Sequence, residues 1–116
     1  MPFDGRSCPN TAIVEAMERM LDKPGKWSRH WGDSGKRCVY HALADATKNF
    51  FVDVYGKHPV SIAMEDVAAK FYGEKSWCPG ETGSFAVAYN DDREITHADI
   101  LNFLRLVKER VAADEV

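Results

Sequence analysis

The stretch from Tyr89 to Val111, YNDDREITHADILNFLRLVKERV, constrains the fold more than any other part of the chain. Thr96 fits an N-cap, and Asp99 three residues later completes a capping box. Ile95 is placed to fold onto Ile100 as a hydrophobic staple. Beyond the cap, Ile100, Phe103, Leu104, Val107 and Val111 recur at the spacing of one helical face. Leu101 and Leu106 widen that face, which predicts a helix that meets more than one neighbour. Arg105, Lys108 and Arg110 lie toward its C-terminal end, where positive charge suits the helix dipole. The cap is worth about 1 kcal/mol and burial of the face several times that. The face therefore dictates the packing, and the cap dictates where the helix begins.

The companions for that face must come from the rest of a 116-residue chain, which is the length of one domain (1–116) with a single core. A hydrophobic share of 45% and a charged share of 28% are those of an ordinary soluble globular protein. The net charge of −3 gives no global attraction to nucleic acid or to an anionic membrane. No apolar run approaches the roughly 18 residues needed to span a bilayer, and the opening MPFDGRSCPN carries no apolar signal region. Three widely spaced cysteines, an odd number, argue against a disulfide framework and fit reduced thiols in a cytoplasm.

Residues 1–9 read as an irregular lead-in broken by Pro2, Gly5 and Pro9, and 114–116 as a frayed tail. Asn10 or Thr11 can cap a first helix to about Leu21, with Ile13, Val14, Met17, Met20 and Leu21 as its core face. A loop from Lys26 to Arg37 follows. The second helix is expected from Ser34–Lys36 to Tyr55, with Val39, Ala42, Leu43, Ala46 and Phe50 as its stripe and Gly56 and Pro59 as its stop. Ser61 can cap a third helix carrying Met64, Val67, Ala68, Phe71 and Tyr72, closed by Gly73. Residues 74–84 read as loop, and Phe85–Tyr89 fits either a short strand or a turn of buried helix. Asn90, Asp91 and Asp92 signal a turn before the capped helix. The expected fold class is mainly α, a compact bundle of about four helices with at most one short β element near 85–89.

Four groups of residues bear on function. Between Lys23 and Arg37, five cations (Lys23, Lys26, Arg29, Lys36, Arg37) stand against Asp33, giving +4, while the other ten basic and seventeen acidic residues give −7. Trp27, His30 and Trp31 are interleaved there, so bases could stack while cations hold phosphate. The plainer alternative makes both tryptophans lids over the core. Cys38 and His41 share a helical face and, with Cys8, Cys78 or His97, offer zinc-type ligands, but no C-x-x-C pair is present and no metal is assigned. Cys38 also lies near a helix start after Lys36 and Arg37, where a thiol pKa falls, and His97 would be its base. Such pairs arise by chance in many intracellular proteins, so neither residue is assigned a catalytic role. Asp91, Asp92 and Glu94 could bind a cation, although Asx residues before a helix usually make the turn itself. PGETGS lacks the lysine and following helix of a phosphate-binding loop. No cofactor is expected.

Three marks occur in order: Trp27 or Trp31, then CVYHAL at Cys38–Leu43, then YND and ITHADIL between Tyr89 and Leu101. Together these resemble a family of small uncharacterised bacterial and phage proteins. Its pattern runs from a tryptophan to a Cys-aliphatic-x-Gly-Ala-Leu helix, an aromatic-Asn-Asp turn and a Thr-capped helix. The resemblance covers roughly residues 27–107. His41 stands in place of the usual glycine and Tyr89 in place of the usual tryptophan. The first departure implies that His41 spaces the helices apart or points into a cavity. The resemblance implies a fold but no mechanism, and it suggests that Cys38, Asn90, Asp91 and Thr96 belong to one arrangement, with Asn90 and Asp91 capping backbone groups.

The expectation from sequence is a small cytoplasmic binding or accessory protein, encoded by a phage or mobile element and acting through protein contacts. A homodimer through the last helix is one form of this. Trp27, Arg29, Trp31, Lys36, Arg37, Asn90, Asp91 and Asp92 are its contact candidates. The rivals are a Cys/His enzyme or metal protein centred on Cys38 and a nucleic-acid module using loop 23–37.

Overall fold

A computed structural model describes residues 9–28, 36–49, 57–71, 84–92 and 94–114. Among them are five α-helices: α1 (Pro9–Met20), α2 (Val39–Thr47), α3 (Pro59–Phe71), α4 (Phe85–Asp91) and α5 (His97–Asp114), with a 3-10 turn at Pro24–Lys26. The helix beyond the expected four is α4. The FAVAY stretch is helical and not a β element. The sequence at 84 explains this, because the Ser84 hydroxyl caps the helix by accepting the Val87 N–H at 3.1 Å.

α5 begins where the capping box places it. The Thr96 hydroxyl accepts the Asp99 N–H at 3.2 Å, and the Asp99 carboxylate accepts the Thr96 N–H at 2.9 Å. Ile100, Phe103, Leu104, Val107 and Val111 are all buried. The helix lies against both α1 and α3, as its wide face predicts. Ion pairs flank the two seams, Lys108 to Glu18 of α1 at 2.9 Å and Arg110 to Asp66 of α3 at 3.3 Å. These five side chains of the face are thus covered by α1 and α3.

α1 starts at Pro9, ahead of the expected Asn10 or Thr11 cap. Proline suits a first helical turn, where its missing N–H would have had no partner. Val14, Met17 and Leu21 are fully buried, with Ile13 and Met20 packed at the margin of the core. α2 is shorter than its apolar stripe suggested. Cys38 is its N-cap, and it stops where Lys48 adopts the left-handed conformation at φ 60°. The Lys48 N–H bonds to Asp45 O at 3.2 Å and the Asn49 N–H to Ala44 O at 3.0 Å, a Schellman closure without its usual glycine. The expected continuation through Phe50, Phe51 and Val54 to Tyr55 and Gly56 lies outside the described residues, as do Tyr72 and Gly73.

α3 is capped by His58, not Ser61. His58 O accepts the Ile62 N–H at 2.9 Å, and its ring Nδ1 accepts the Val60 N–H at 3.1 Å. Pro59 takes the first helical position. Ser61 is instead buried inside the helix and shares a 2.9 Å hydrogen bond with the Tyr40 hydroxyl of α2. The same hydroxyl donates to Glu65 at 2.7 Å. Glu65 in turn accepts the Ser84 hydroxyl and the Phe85 N–H, the latter at 2.8 Å. A carboxylate of α3 thus occupies the positive end of α4, a favourable place for it, and binds α2, α3 and α4 through one polar chain. On the opposite side of α4, Tyr89 is packed between Phe71, stacked at 4.8 Å, and Phe103 at 5.3 Å.

Candidate functional site: a buried asparagine beneath a cationic cleft

Asn90 ends up in the last turn of α4, 1% exposed, and not in a solvated turn. Its Oδ1 accepts the Trp27 indole N–H at 2.9 Å and the Val39 backbone N–H at 3.2 Å. Its Nδ2 donates to Ser28 O at 3.0 Å and to Asp91 Oδ1 at 3.1 Å. All four hydrogen-bonding positions of one side-chain amide are therefore used. The orientation is dictated by chemistry, since an indole N–H can only donate and must meet the oxygen. The Val39 bond satisfies a donor in the first turn of α2, so Asn90 does cap backbone there, as the family resemblance suggested. Thr96 is not part of this arrangement; it caps α5.

The hub fixes the base of the segment between Ser28 and Lys36. Trp27 and Arg37 form an isolated parallel bridge, with the Arg37 N–H on Lys26 O at 2.9 Å and the Ser28 N–H on Arg37 O at 3.0 Å. Trp27 is 8% exposed and lies in the core, its ring 6.4 Å from that of His97. The lid alternative therefore describes Trp27, and neither it nor Asn90 is a surface contact. Arg29, His30 and Trp31 lie outside the described residues. Lys36 is exposed and Arg37 half-buried.

The cysteine and histidine residues take structural places. Cys38 is buried, and its Sγ accepts the His41 N–H at 3.3 Å as the N-cap of α2. Burial, followed by the nearby Asp91 charge, pushes its thiol above the ordinary range despite that hydrogen bond. This reverses the expected activation, and Arg37, expected to help lower the pKa, instead gives its Nε–H to Asp45 at 2.6 Å. His41 is half-buried, with Nε2 3.5 Å from Asp45 of its own helix. The His97 ring nitrogen Nε2 meets Leu21 O at 2.6 Å, at the end of α1. No hydrogen bond joins Cys38 to His97 among the described residues. Nor do any three of their His, Cys, Asp or Glu side chains come together as a metal site. Cys8 and Cys78 lie outside those residues. Asp91 serves Asn90, while Asp92 Oδ1 accepts the Glu94 N–H at 2.9 Å, so the true Asx turn begins one residue past the helix.

Around the outer edge of the hub lies a cleft of about 370 Å³ formed by Ala16, Arg19, Met20, Lys26 and Arg37. Arg19 comes from the last turn of α1, Lys26 from the 3-10 turn and Arg37 from the bridge. Arg19 was not legible as a site residue, because a lone arginine near a helix end already has a role in the dipole. The available signal was its place beside Met20 on the turn that leads into the basic loop. A second groove of about 410 Å³ runs between α3 and α5, lined by Val67, Lys70, Phe71, Leu106, Glu109 and Arg110. Ile62 and Phe71, both on α3, are the large apolar side chains left exposed among the described residues, at 50% and 45%.

Five helices among the described residues, with one buried amide tying Trp27 and Ser28 to the start of α2 and the end of α4, are the structural class these observations define. The chain belongs to the family of unknown function DUF6197, whose model matches residues 8–110. No curated protein and no solved structure matches it. No helix among the described residues is long and apolar enough to cross a membrane.

Proposed function

We propose that this domain is a binding module, non-enzymatic, that acts in the cytoplasm by presenting the rim of its 28–36 segment to a protein partner. The single observation that carries this reading is the Asn90 hub. Four hydrogen bonds from one buried amide, together with the Trp27–Arg37 bridge, hold the two ends of that segment side by side on a rigid frame. Segments whose ends are fixed by a packed scaffold are where recognition is often carried. Among the described residues, Cys38, His41 and His97 serve a helix cap, a carboxylate contact and a backbone carbonyl. The cysteine content supports a reducing compartment.

The test is affinity capture of the full chain from cells that carry its gene, read by native mass spectrometry with and without nuclease. A protein at fixed stoichiometry, insensitive to nuclease and lost in a Lys36→Glu/Arg37→Glu variant, is the expected result. Recovery of nucleic acid, or of the bare chain alone, would refute the reading.

A further inference from the structure

The cleft beside the hub has two chemistries in one concave surface. It is lined by the cations Arg19, Lys26 and Arg37 and by the apolar Ala16 and Met20. Lys26 is 3.0 Å from Asp22, an exposed pair, and Arg37 uses only its Nε–H on Asp45. Among the described residues nothing bonds the two terminal nitrogens of Arg37, and nothing pairs with Arg19. Two guanidinium groups therefore border the cleft with donors to spare. A planar guanidinium matches a carboxylate through paired parallel hydrogen bonds, which a lysine ammonium does not. Met20 adds a polarizable, adaptable surface for an apolar side chain.

We propose that this cleft binds an acidic segment of a partner protein, with a Glu or Asp carboxylate on Arg19 and Arg37 and an adjacent apolar side chain on Ala16 and Met20. The inference rests on the protein-binding reading above and names the chemistry of its partner. A nucleic acid fits less well. Phosphate-backbone binding draws on a run of neutralised phosphates and a broadly positive face, whereas this chain carries a net −3 and offers one short cleft. A peptide carboxylate needs only the spare guanidinium donors of Arg19 and Arg37 at short range, because exposed charges beyond a Debye length of about 8 Å are largely screened at physiological salt.

The experiment is fluorescence anisotropy of the full chain with a labelled peptide in which a Leu is flanked by Glu residues. The same peptide with Gln for Glu and a single-stranded oligonucleotide serve as comparison probes. The Glu peptide is expected to bind, to weaken as salt rises, and to lose about tenfold or more in affinity in Arg19→Glu, equivalent to roughly 1.4 kcal/mol. Arg19→Gln should lose less. Arg19 is exposed and makes no bond among the described residues, so Arg19→Gln should keep the wild-type unfolding midpoint, and Arg19→Glu should lower it only slightly through the dipole of α1. Equal affinity for the Gln peptide, an unchanged affinity in Arg19→Glu, or no binding at low salt would overturn the proposal. Tighter binding of the oligonucleotide than of the Glu peptide would do the same and make the cleft a nucleic-acid site. Capturing one protein equally with wild type and Arg19→Glu would sink the cleft assignment but leave the protein-binding reading standing. Capturing none would sink that reading, while the peptide titration would still report on the cleft.

Discussion

Replacing Asn90 with alanine should cost this domain about 3 kcal/mol of stability. The substitution removes the acceptor of two buried donors, the Trp27 indole N–H and the Val39 N–H, and the donor to Ser28 O. Each buried group left unpaired costs about 1–3 kcal/mol, and water entering the vacated space would return part of the total. Against a typical domain stability of about 5–15 kcal/mol, the loss is large but survivable. Urea unfolding followed by far-ultraviolet circular dichroism is the assay, with an expected drop in midpoint at an unchanged slope. Asn90→Asp separates hydrogen bonding from volume. It keeps acceptors for Trp27 and Val39 but places a carboxylate oxygen against Ser28 O and Asp91, so it should also destabilise, and less so as pH falls and the carboxylate is protonated. A double-mutant cycle with Trp27→Phe should show coupling of about 1 kcal/mol. A loss under about 1 kcal/mol for Asn90→Ala, or strict additivity with Trp27→Phe, would refute the reasoning.

Other consequences are as specific. Lys48 holds φ 60° without being glycine, so Lys48→Gly should stabilise the domain by about 0.5–1 kcal/mol, seen as a raised thermal midpoint. The buried Cys38 thiol should resist iodoacetamide near pH 8 in the folded protein and react once unfolded, with peptide mapping distinguishing it from Cys8 and Cys78. Burial lowers the His58 pKa below its ordinary 6.5, so the unfolded chain binds that proton more tightly. Its contribution is then complete above about 6.5 and is lost as pH falls through the folded value. Protonation also removes the Nδ1 acceptor that caps Val60. Comparing urea midpoints at neutral and mildly acidic pH should show a smaller decline in His58→Asn than in the wild type; equal declines would contradict this.

What could be read from sequence follows how far each signal reaches along the chain. The start of α5 was legible to the residue, because Thr96 and Asp99 satisfy each other within one turn. Its buried face was legible because five apolar residues repeat with the helix. The end of α2 was not, because the apolar stripe runs past Lys48 and the closure there uses no glycine. Pro9 was misread because proline opens a helix as readily as it breaks one, but Ser61 and Asn90 were misread for a shared reason. Residues common in caps and turns were given local roles, whereas Ser61 is bonded to Tyr40, 21 positions away, and Asn90 to Trp27, 63 positions away. Of the site, the sequence named Trp27, Asn90 and Arg37 as contact candidates beside the alternative of tryptophan lids over the core, and the core reading is the one that describes Trp27 and Asn90. Arg19 emerged only when α1, the 3-10 turn and the bridge were brought together. Long-range polar pairing has no period, so no pattern along the chain announces it.

The central claim is that one buried amide locks the base of the 28–36 segment to the frame. Hydrogen exchange of the Trp27 indole N–H, followed by NMR and assigned by its loss in Trp27→Phe, tests that claim most directly. Exchange slowed to near the rate set by global unfolding is the predicted result, since the proton is held by Asn90 in the core. Exchange as fast as that of a solvent-exposed indole would contradict it.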